Sequence, residues 1–197
     1  MSIFALEGRL AVLSRCLKHL LIPLIFLGIY SGGTLPAHAS PTLETSVSET
    51  PVTIYSSQAC GHCHIYVEEV VEEVLKQVGF ENITIKDFIS DQKARQELVE
   101  LTQKLGIPME LRGHLAIFID DSIILEGHVP IPVITDLLRL GEKRPFERIV
   151  VLQDEMHGAK SYKVWAFRGE IKEYPLDTPI SQYLDWLQKN FSWVNLG

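Results

Sequence analysis

Cys60-Gly61-His62-Cys63 lies between a strand-like run, Val52-Thr53-Ile54-Tyr55-Ser56, and a helix-like run at residues 64–78. Two thiols separated by two residues at the start of a helix can exchange a disulfide with another protein. The N-terminal end of a helix stabilises the thiolate that begins such an exchange. The sequence therefore predicts a reactive cysteine pair at a strand-to-helix junction.

Hydrophobic patterning after the tetrad predicts alternating helices and strands. Apolar residues recur at helical spacing from Ile65 onward, and Gly79 ends that helix. A second strand is predicted at residues 83–88, and a strand, a helix and a strand within about 35 residues imply a right-handed parallel crossover. Three further elements follow: a helix capped by Ser90 or Asp91 and ended by Gly106-Ile107-Pro108, a hairpin of residues 115–119 and 123–126, and a helix at residues 132–140.

The N-terminal part of the chain has the composition of an export signal. Basic residues precede an apolar stretch at residues 20–30, and Ala37-His38-Ala39 has the small-x-small form of a signal-peptidase site. We expect residues 1–39 to be a signal peptide that is cleaved after Ala39. The alternative is an N-terminal membrane anchor, although the apolar core is about half of the roughly 20 residues that a spanning helix needs. Residues 40–51, rich in Ser, Thr, Glu and Pro, are predicted to be a flexible linker.

Cysteine content and net charge limit which cellular compartment and which partners the protein can have. Cys16 lies in the predicted signal, so the exported chain would keep only Cys60 and Cys63. An exported protein with two cysteines at this spacing uses them as a pair. Loss of the one acidic and three basic residues of the signal changes the net charge from -7 to -9, which excludes the basic footprint of a nucleic-acid binder. We expect a soluble protein of the periplasm or an equivalent lumen.

The order β, α, β, α, β, β, α, with C-x-x-C at the start of the first helix, resembles the thioredoxin fold over residues 52–141. CGHC is the tetrad of protein disulfide isomerase domains. The resemblance implies an α/β fold with a thioredoxin-like mixed sheet flanked by helices. It also implies a thiol-disulfide oxidoreductase in which Cys60 attacks a partner disulfide and Cys63 resolves the mixed disulfide.

The tetrad and its resemblance also lead to expectations about the reduction potential of the cysteine pair and about its partner proteins. Gly61 and His62 would tune the site, because a protonated imidazole stabilises the Cys60 thiolate. A stabilised thiolate makes the disulfide more oxidising, so the expected reduction potential is nearer about -180 mV than about -270 mV. The expected partners are protein thiols and disulfides, with a membrane redox protein as a further candidate. No cofactor is expected for such an enzyme.

A second pattern comprises Gly106-Ile107-Pro108, Leu111, His114 and Glu126-Gly127-His128-Val129-Pro130. It resembles a small bacterial family of thioredoxin-like domains of unknown function that are often described as metal- or copper-binding. That family carries a Cys-His pair before the third strand, and thioredoxin-like oxidoreductases place a cis-proline there; this chain has Gly113-His114. The alternative function is therefore binding of copper or zinc by Cys60, Cys63 and His114, with His128 as a further ligand, since sulfur and imidazole suit these ions.

Other interpretations of these residues stay open. The cysteines could form a permanent disulfide at the helix start, although so short a loop gains little stability from chain entropy. His64 and Met156-His157 fit exposed polar positions as well as ligands. Residues 148–197 lie outside both resemblances and are predicted to form a ββα-type extension packed on the core. A redox-inert assembly factor that recruits a partner through this extension is a third hypothesis.

Overall fold

The computed structural model describes residues 47–191. The predicted signal at residues 1–39 and the first part of the predicted linker lie outside the described residues. The strands are β1 (Val52–Ser56), β2 (Ile83–Asp87), β3 (Ala116–Ile119), β4 (Ile123–Gly127), β5 (Ile149–Gln153), β6 (Ser161–Trp165) and β7 (Lys172–Pro175). The helices are α1 (Gly61–Glu69), α2 (Gln92–Leu105), α3 (Ile131–Arg139) and α4 (Ser181–Asn190), with single 3-10 turns at Met109–Leu111 and Gly141–Lys143.

The strands form one mixed sheet in the order β2-β1-β3-β4-β5-β6-β7. β1 is parallel to β2 and antiparallel to β3, and β3 is antiparallel to β4. β4 is parallel to β5, whereas β5, β6 and β7 pair antiparallel. The α/β fold expected from the sequence, with helices flanking a mixed sheet, is confirmed, and its arrangement is compatible with a thioredoxin-like fold. The C-terminal strands continue the same sheet.

Alternation along the strands divides the core into two layers. Ile54 of β1 belongs to an apolar cluster that also contains residues of α1, α3 and α4, whereas the next residue, Tyr55, belongs to the cluster on the opposite face with residues of α2. Tyr183 of α4, fully buried, belongs to the same cluster as Ile54. Burial of each large apolar side chain contributes about 1.5–3 kcal/mol, so the C-terminal helix is part of the stability of the whole sheet.

The predicted helix ends occur where the sequence places them. The Asp91 carboxylate caps α2 by accepting hydrogen bonds from the backbone N–H groups of Lys93 and Ala94 at 2.8 and 3.3 Å. Gly106 ends α2 with a φ of 69°, in the left-handed region. The helix after the tetrad differs from a regular α-helix, because α1 continues through a π-helical stretch, Val70–Leu75, before a last α-helical turn. The wider turn places Val70, Val74 and Leu75 in the core.

The start of the described chain packs on this core. A short helical turn covers residues 47–49, within the stretch predicted as linker, and Val47 contacts the larger apolar cluster. Within residues 47–191, no helix has the length and apolar character needed to cross a membrane.

Candidate metal and redox site

Strand directions bring four distant segments to one edge of the sheet. β1, β4 and β5 run the same way, and β3 runs against them. The residues after β1, after β4 and after β5 therefore meet the residues before β3. Cys60, His128, Asp154 and His114 occupy those four positions in turn.

The cysteine pair occupies the start of α1. Cys60 is the N-cap residue, and its Sγ accepts a hydrogen bond from the Cys63 backbone N–H at 3.3 Å. The two cysteines form a disulfide, with Cys63 fully buried and Cys60 partly exposed. In the reduced chain the helix dipole and this N–H would stabilise a Cys60 thiolate, and no acidic side chain in the first turn opposes them. Gly61 leaves the surface open, since a Cβ there would meet nothing within 4 Å.

Cys60, Cys63 and His114 form a group with the donors of a metal site. Both Sγ atoms and a ring nitrogen of His114 lie within 4.8 Å of one another. Two sulfur donors and one imidazole suit copper and zinc. The expectation that the protein uses no cofactor is therefore wrong: a disulfide exchanger does not require an imidazole directed at its sulfur atoms, and this group fits a bound metal ion.

His114 is held in one orientation by Asp154. The Asp154 Oδ1 atom accepts hydrogen bonds from the His114 backbone N–H at 2.9 Å and contacts the ring Nδ1 at 2.5 Å. The ring Nε2 is buried and has no hydrogen-bond partner in the described part of the chain. A carboxylate bound to one ring nitrogen fixes the tautomer and raises the basicity of the other. Nε2 is thus the atom that faces a ligand.

Position 113 has no room for a side chain. A Cβ on Gly113 would lie 2.7 Å from Asp154 Oδ1 and 2.7 Å from the Gly127 backbone nitrogen. The Asp154 carboxylate therefore occupies the space that a side chain at position 113 would need.

His128 contacts the ring of His114 but does not belong to the group formed by Cys60, Cys63 and His114. Its ring packs edge-on against the rings of His114 and Tyr66, each with centroids 4.9 Å away. Burial, reinforced by the nearby His114, lowers the pKa of His128 and so favours the neutral imidazole. Its Nε2 is also buried without a partner in residues 47–191. Tyr66 donates a hydrogen bond to the Val129 carbonyl at 2.7 Å, which fixes this neighbour in turn.

Glu126 is a buried acid that supports the segment before β3. It is 2% exposed, and its Oε2 accepts a hydrogen bond from the Gly113 backbone N–H at 2.9 Å. Burial, with a smaller contribution from the nearby Asp154 carboxylate, raises its pKa to about 8, and the Gly113 N–H and Arg112 oppose this rise. The carboxyl is therefore largely protonated at neutral pH.

Sequence reasoning missed Asp154 and Glu126 as parts of the site. The sequence analysis named Glu126 only as part of the run Glu126–Pro130 and gave it no role in the site. Asp154 lies 40 residues from His114 in the sequence. The signal for Asp154 was the order strand, helix, strand at β4, α3 and β5, which implies parallel neighbours and hence carboxyl ends at a common edge. His62, predicted to tune the cysteines, is exposed and contacts His157 of the β5–β6 loop, with ring centroids 5.1 Å apart.

Comparisons with known proteins give little beyond this geometry. No protein-family model matches the chain, and no curated protein matches it. A solved structure named copper resistance protein copG, form 1, aligns with a TM-score of 0.42 and 22% identity over 64% of this chain and 98% of that one. Form 2 aligns with a TM-score of 0.40 and 20% identity over the same shares, 64% and 98%. Similarity this low carries no inference about the chain, and no comparison supports membership of the thioredoxin-like superfamily.

Proposed function

We propose that the reduced chain binds a copper(I) ion through Cys60, Cys63 and His114. The observation that carries this proposal is the setting of the His114 ring. One ring nitrogen lies within 4.8 Å of both sulfur atoms, Nδ1 contacts Asp154, and Nε2 is buried without a partner in the described residues. A buried imidazole nitrogen without a partner has a desolvation cost that a metal bond would offset. Two thiolates and one imidazole are soft and borderline donors of the kind that select Cu(I).

The number of donors favours copper(I) over zinc. Structural zinc sites are almost always four-coordinate and tetrahedral, whereas three protein atoms form this group. The next imidazole, His128, packs against His114 by its ring and does not belong to the group. A three-donor site is complete for a monovalent soft ion and leaves a divalent zinc ion short of one ligand.

Binding in this way depends on the oxidation state of the two sulfur atoms. The Cys60–Cys63 disulfide has no thiolate to offer, so a dithiol reductant must first supply two electrons and two protons to give two thiols. Both thiols lose their protons when they become ligands. The disulfide form would therefore release copper at this position, and the dithiol form would retain it.

A titration of the reduced full chain with Cu(I), in competition with a chromophoric chelator, tests the proposal. We expect one tightly held ion per chain, and we expect Cys60→Ser, Cys63→Ser and His114→Ala each to weaken binding. His64→Ala is the matched control, because His64 is exposed on the same helix and belongs to no metal group in the described residues. Reduced protein that holds no Cu(I), or a His114→Ala variant as tight as the wild type, would contradict it. Tighter binding of zinc than of Cu(I) would exclude copper as the preferred ion.

Thiol-disulfide exchange is a second candidate, favoured by the position of Cys60 at a helix N-cap. A Cys60 thiolate would attack a disulfide of a partner protein, forming a mixed disulfide and releasing one partner thiolate. Cys63 would then attack Cys60, releasing the second partner thiolate and closing the Cys60–Cys63 disulfide, so two electrons pass to the partner. A Cys63→Ser variant should accumulate reducible adducts with partner proteins. Their absence from cells that express it would exclude this candidate.

Export to an oxidising compartment belongs to both candidates. The support is the composition of residues 1–39, with basic residues before an apolar stretch and Ala37-His38-Ala39 at its end. N-terminal sequencing of the mature protein should find Ser40 first. A mature protein that keeps its first residues would replace this proposal with the membrane-anchored alternative.

A further inference from the structure

The loop between β5 and β6 places the imidazole of His157 against that of His62, beside the cysteine pair. The rings of His62 and His157 are in edge-to-face contact, with centroids 5.1 Å apart and planes at 79°. Both side chains are exposed, in contrast to the buried Nε2 atoms of His114 and His128. Two solvent-facing imidazoles this close can reach a common ion by small side-chain rotations.

A shallow groove runs between His62 of this exposed pair and the buried His128. His62, Tyr66, His128 and Met156 are among the residues that line it. Met156 is 51% exposed, which leaves a thioether sulfur at the surface of the groove. Imidazole and thioether donors therefore lie along one groove, from the exposed His62 to the buried His128.

We propose that His62 and His157 form a second copper site at the surface, which captures the ion independently of the thiol state. Imidazole nitrogen binds both Cu(II) and Cu(I), so the pair needs no reduction to act. From this site a Cu(I) ion would pass to Cys60, Cys63 and His114 by ligand exchange, with no change of oxidation state. The transfer step rests on the function proposed above, whereas the surface site does not.

The disulfide form of the full chain tests the surface site without the thiolate ligands of the site proposed above, because its cysteines offer no thiolates. Titration with Cu(II), followed by electron paramagnetic resonance, should show one ion with nitrogen ligands. We expect His62→Ala and His157→Ala each to weaken this binding by about tenfold or more, the scale on which metal sites respond to loss of a supporting group. The matched control His64→Ala should bind as the wild type does. Wild-type affinity in the His62 or His157 variant, or an equal loss in the His64 variant, would overturn the proposal.

Uptake of Cu(I) by the reduced chain separates capture from final binding. We expect His157→Ala to slow the transfer of Cu(I) from a chelator while the final occupancy stays unchanged. His114→Ala should lower the final occupancy and leave Cu(II) binding by the disulfide form intact. If the reduced chain holds no Cu(I) but the disulfide form still binds Cu(II) through His62 and His157, the proposed function fails and the surface site stands. If uptake is equally fast without His157, the capture role is excluded.

Discussion

Replacement of Asp154 by alanine should weaken Cu(I) binding although Asp154 is not itself a ligand. One carboxylate oxygen holds both the backbone N–H and the ring Nδ1 of His114, at 2.9 and 2.5 Å. Asp154→Ala removes both contacts, so the ring can rotate and its Nε2 no longer faces the sulfur atoms in a fixed tautomer. The sulfur ligands and the helix that carries them are unchanged by the substitution.

The expected size of this effect follows from the exposure of the pair. Loss of the partner of a metal-bound histidine costs about 10- to 100-fold in affinity, or about 1.4–2.7 kcal/mol. The side chains of His114 and Asp154 are 31% and 41% exposed, so solvent screens their interaction. We therefore expect about tenfold for Asp154→Ala, at the lower end of that range. Asp154→Asn keeps an oxygen acceptor and loses the charge, so its affinity should lie between the alanine variant and the wild type.

Chelator competition with Cu(I) on the reduced full chain measures these affinities. Thermal unfolding of the metal-free variants shows whether the fold is kept. Asp185→Asn is the control, because it removes an exposed carboxylate from α4. Folded Asp154→Ala protein with the affinity of the wild type would refute the reasoning, since the His114 orientation would then not depend on this carboxylate. Equal losses of Cu(I) affinity in the Asp154 and Asp185 variants would mean that the effect arises from the change in overall charge.

Three further substitutions probe the supporting residues. The Glu126 pKa is raised from 4.5 to about 8, so the folded chain keeps a proton that the unfolded chain loses; stability should fall as the pH rises from 4.5 to 8, and Glu126→Gln should remove this fall in urea titrations across that range. Gly113→Ala should cost about 1–3 kcal/mol in urea unfolding and weaken Cu(I) binding, because its Cβ would collide with Asp154. Tyr66→Phe should cost about 1 kcal/mol in the same assay, because the Val129 carbonyl loses its donor.

Each of these substitutions has an outcome that would contradict its reasoning. A stability difference between wild type and Glu126→Gln that stays constant with pH would mean that the carboxyl does not titrate as its burial implies. An unchanged free energy of unfolding for Gly113→Ala would mean that the backbone at this position can move away at no cost. Wild-type stability of Tyr66→Phe would mean that water replaces the hydroxyl at the Val129 carbonyl.

Local signals in the sequence were sufficient for most of the fold. β-branched and aromatic residues marked β1, helical periodicity marked α1, and Gly79 marked its end, because each signal acts within a few residues of chain. Asp91 and Gly106 marked the ends of α2 for the same reason. The π-helical stretch Val70–Leu75 carried no such signal, since its apolar residues also fit an α-helix.

Hydrophobic patterning along the sequence did not predict the contacts between distant segments. The tetrad and His114 were found because both lie within the resembling region, but Asp154 and His157 lie in the segment treated as an extension. Their place at the site follows from the parallel pairing of β5 with β4, which periodicity within β5 does not reveal. The crossover helix α3 was the available clue, since parallel strands require such a connection.

The C-terminal segment is therefore what distinguishes this site from a simple C-x-x-C pair at a helix start. Its first loop supplies Asp154 to the buried histidine and His157 to the exposed one, so a single short segment touches the site from two sides. The loop follows β5, whose residues are all buried in the sheet, and this burial fixes where the loop begins. A rigid strand end can hold the carboxylate at His114 while the exposed part of the loop remains free to exchange ligands at His62. That division of roles assigns retention to the buried donors and capture to the exposed ones.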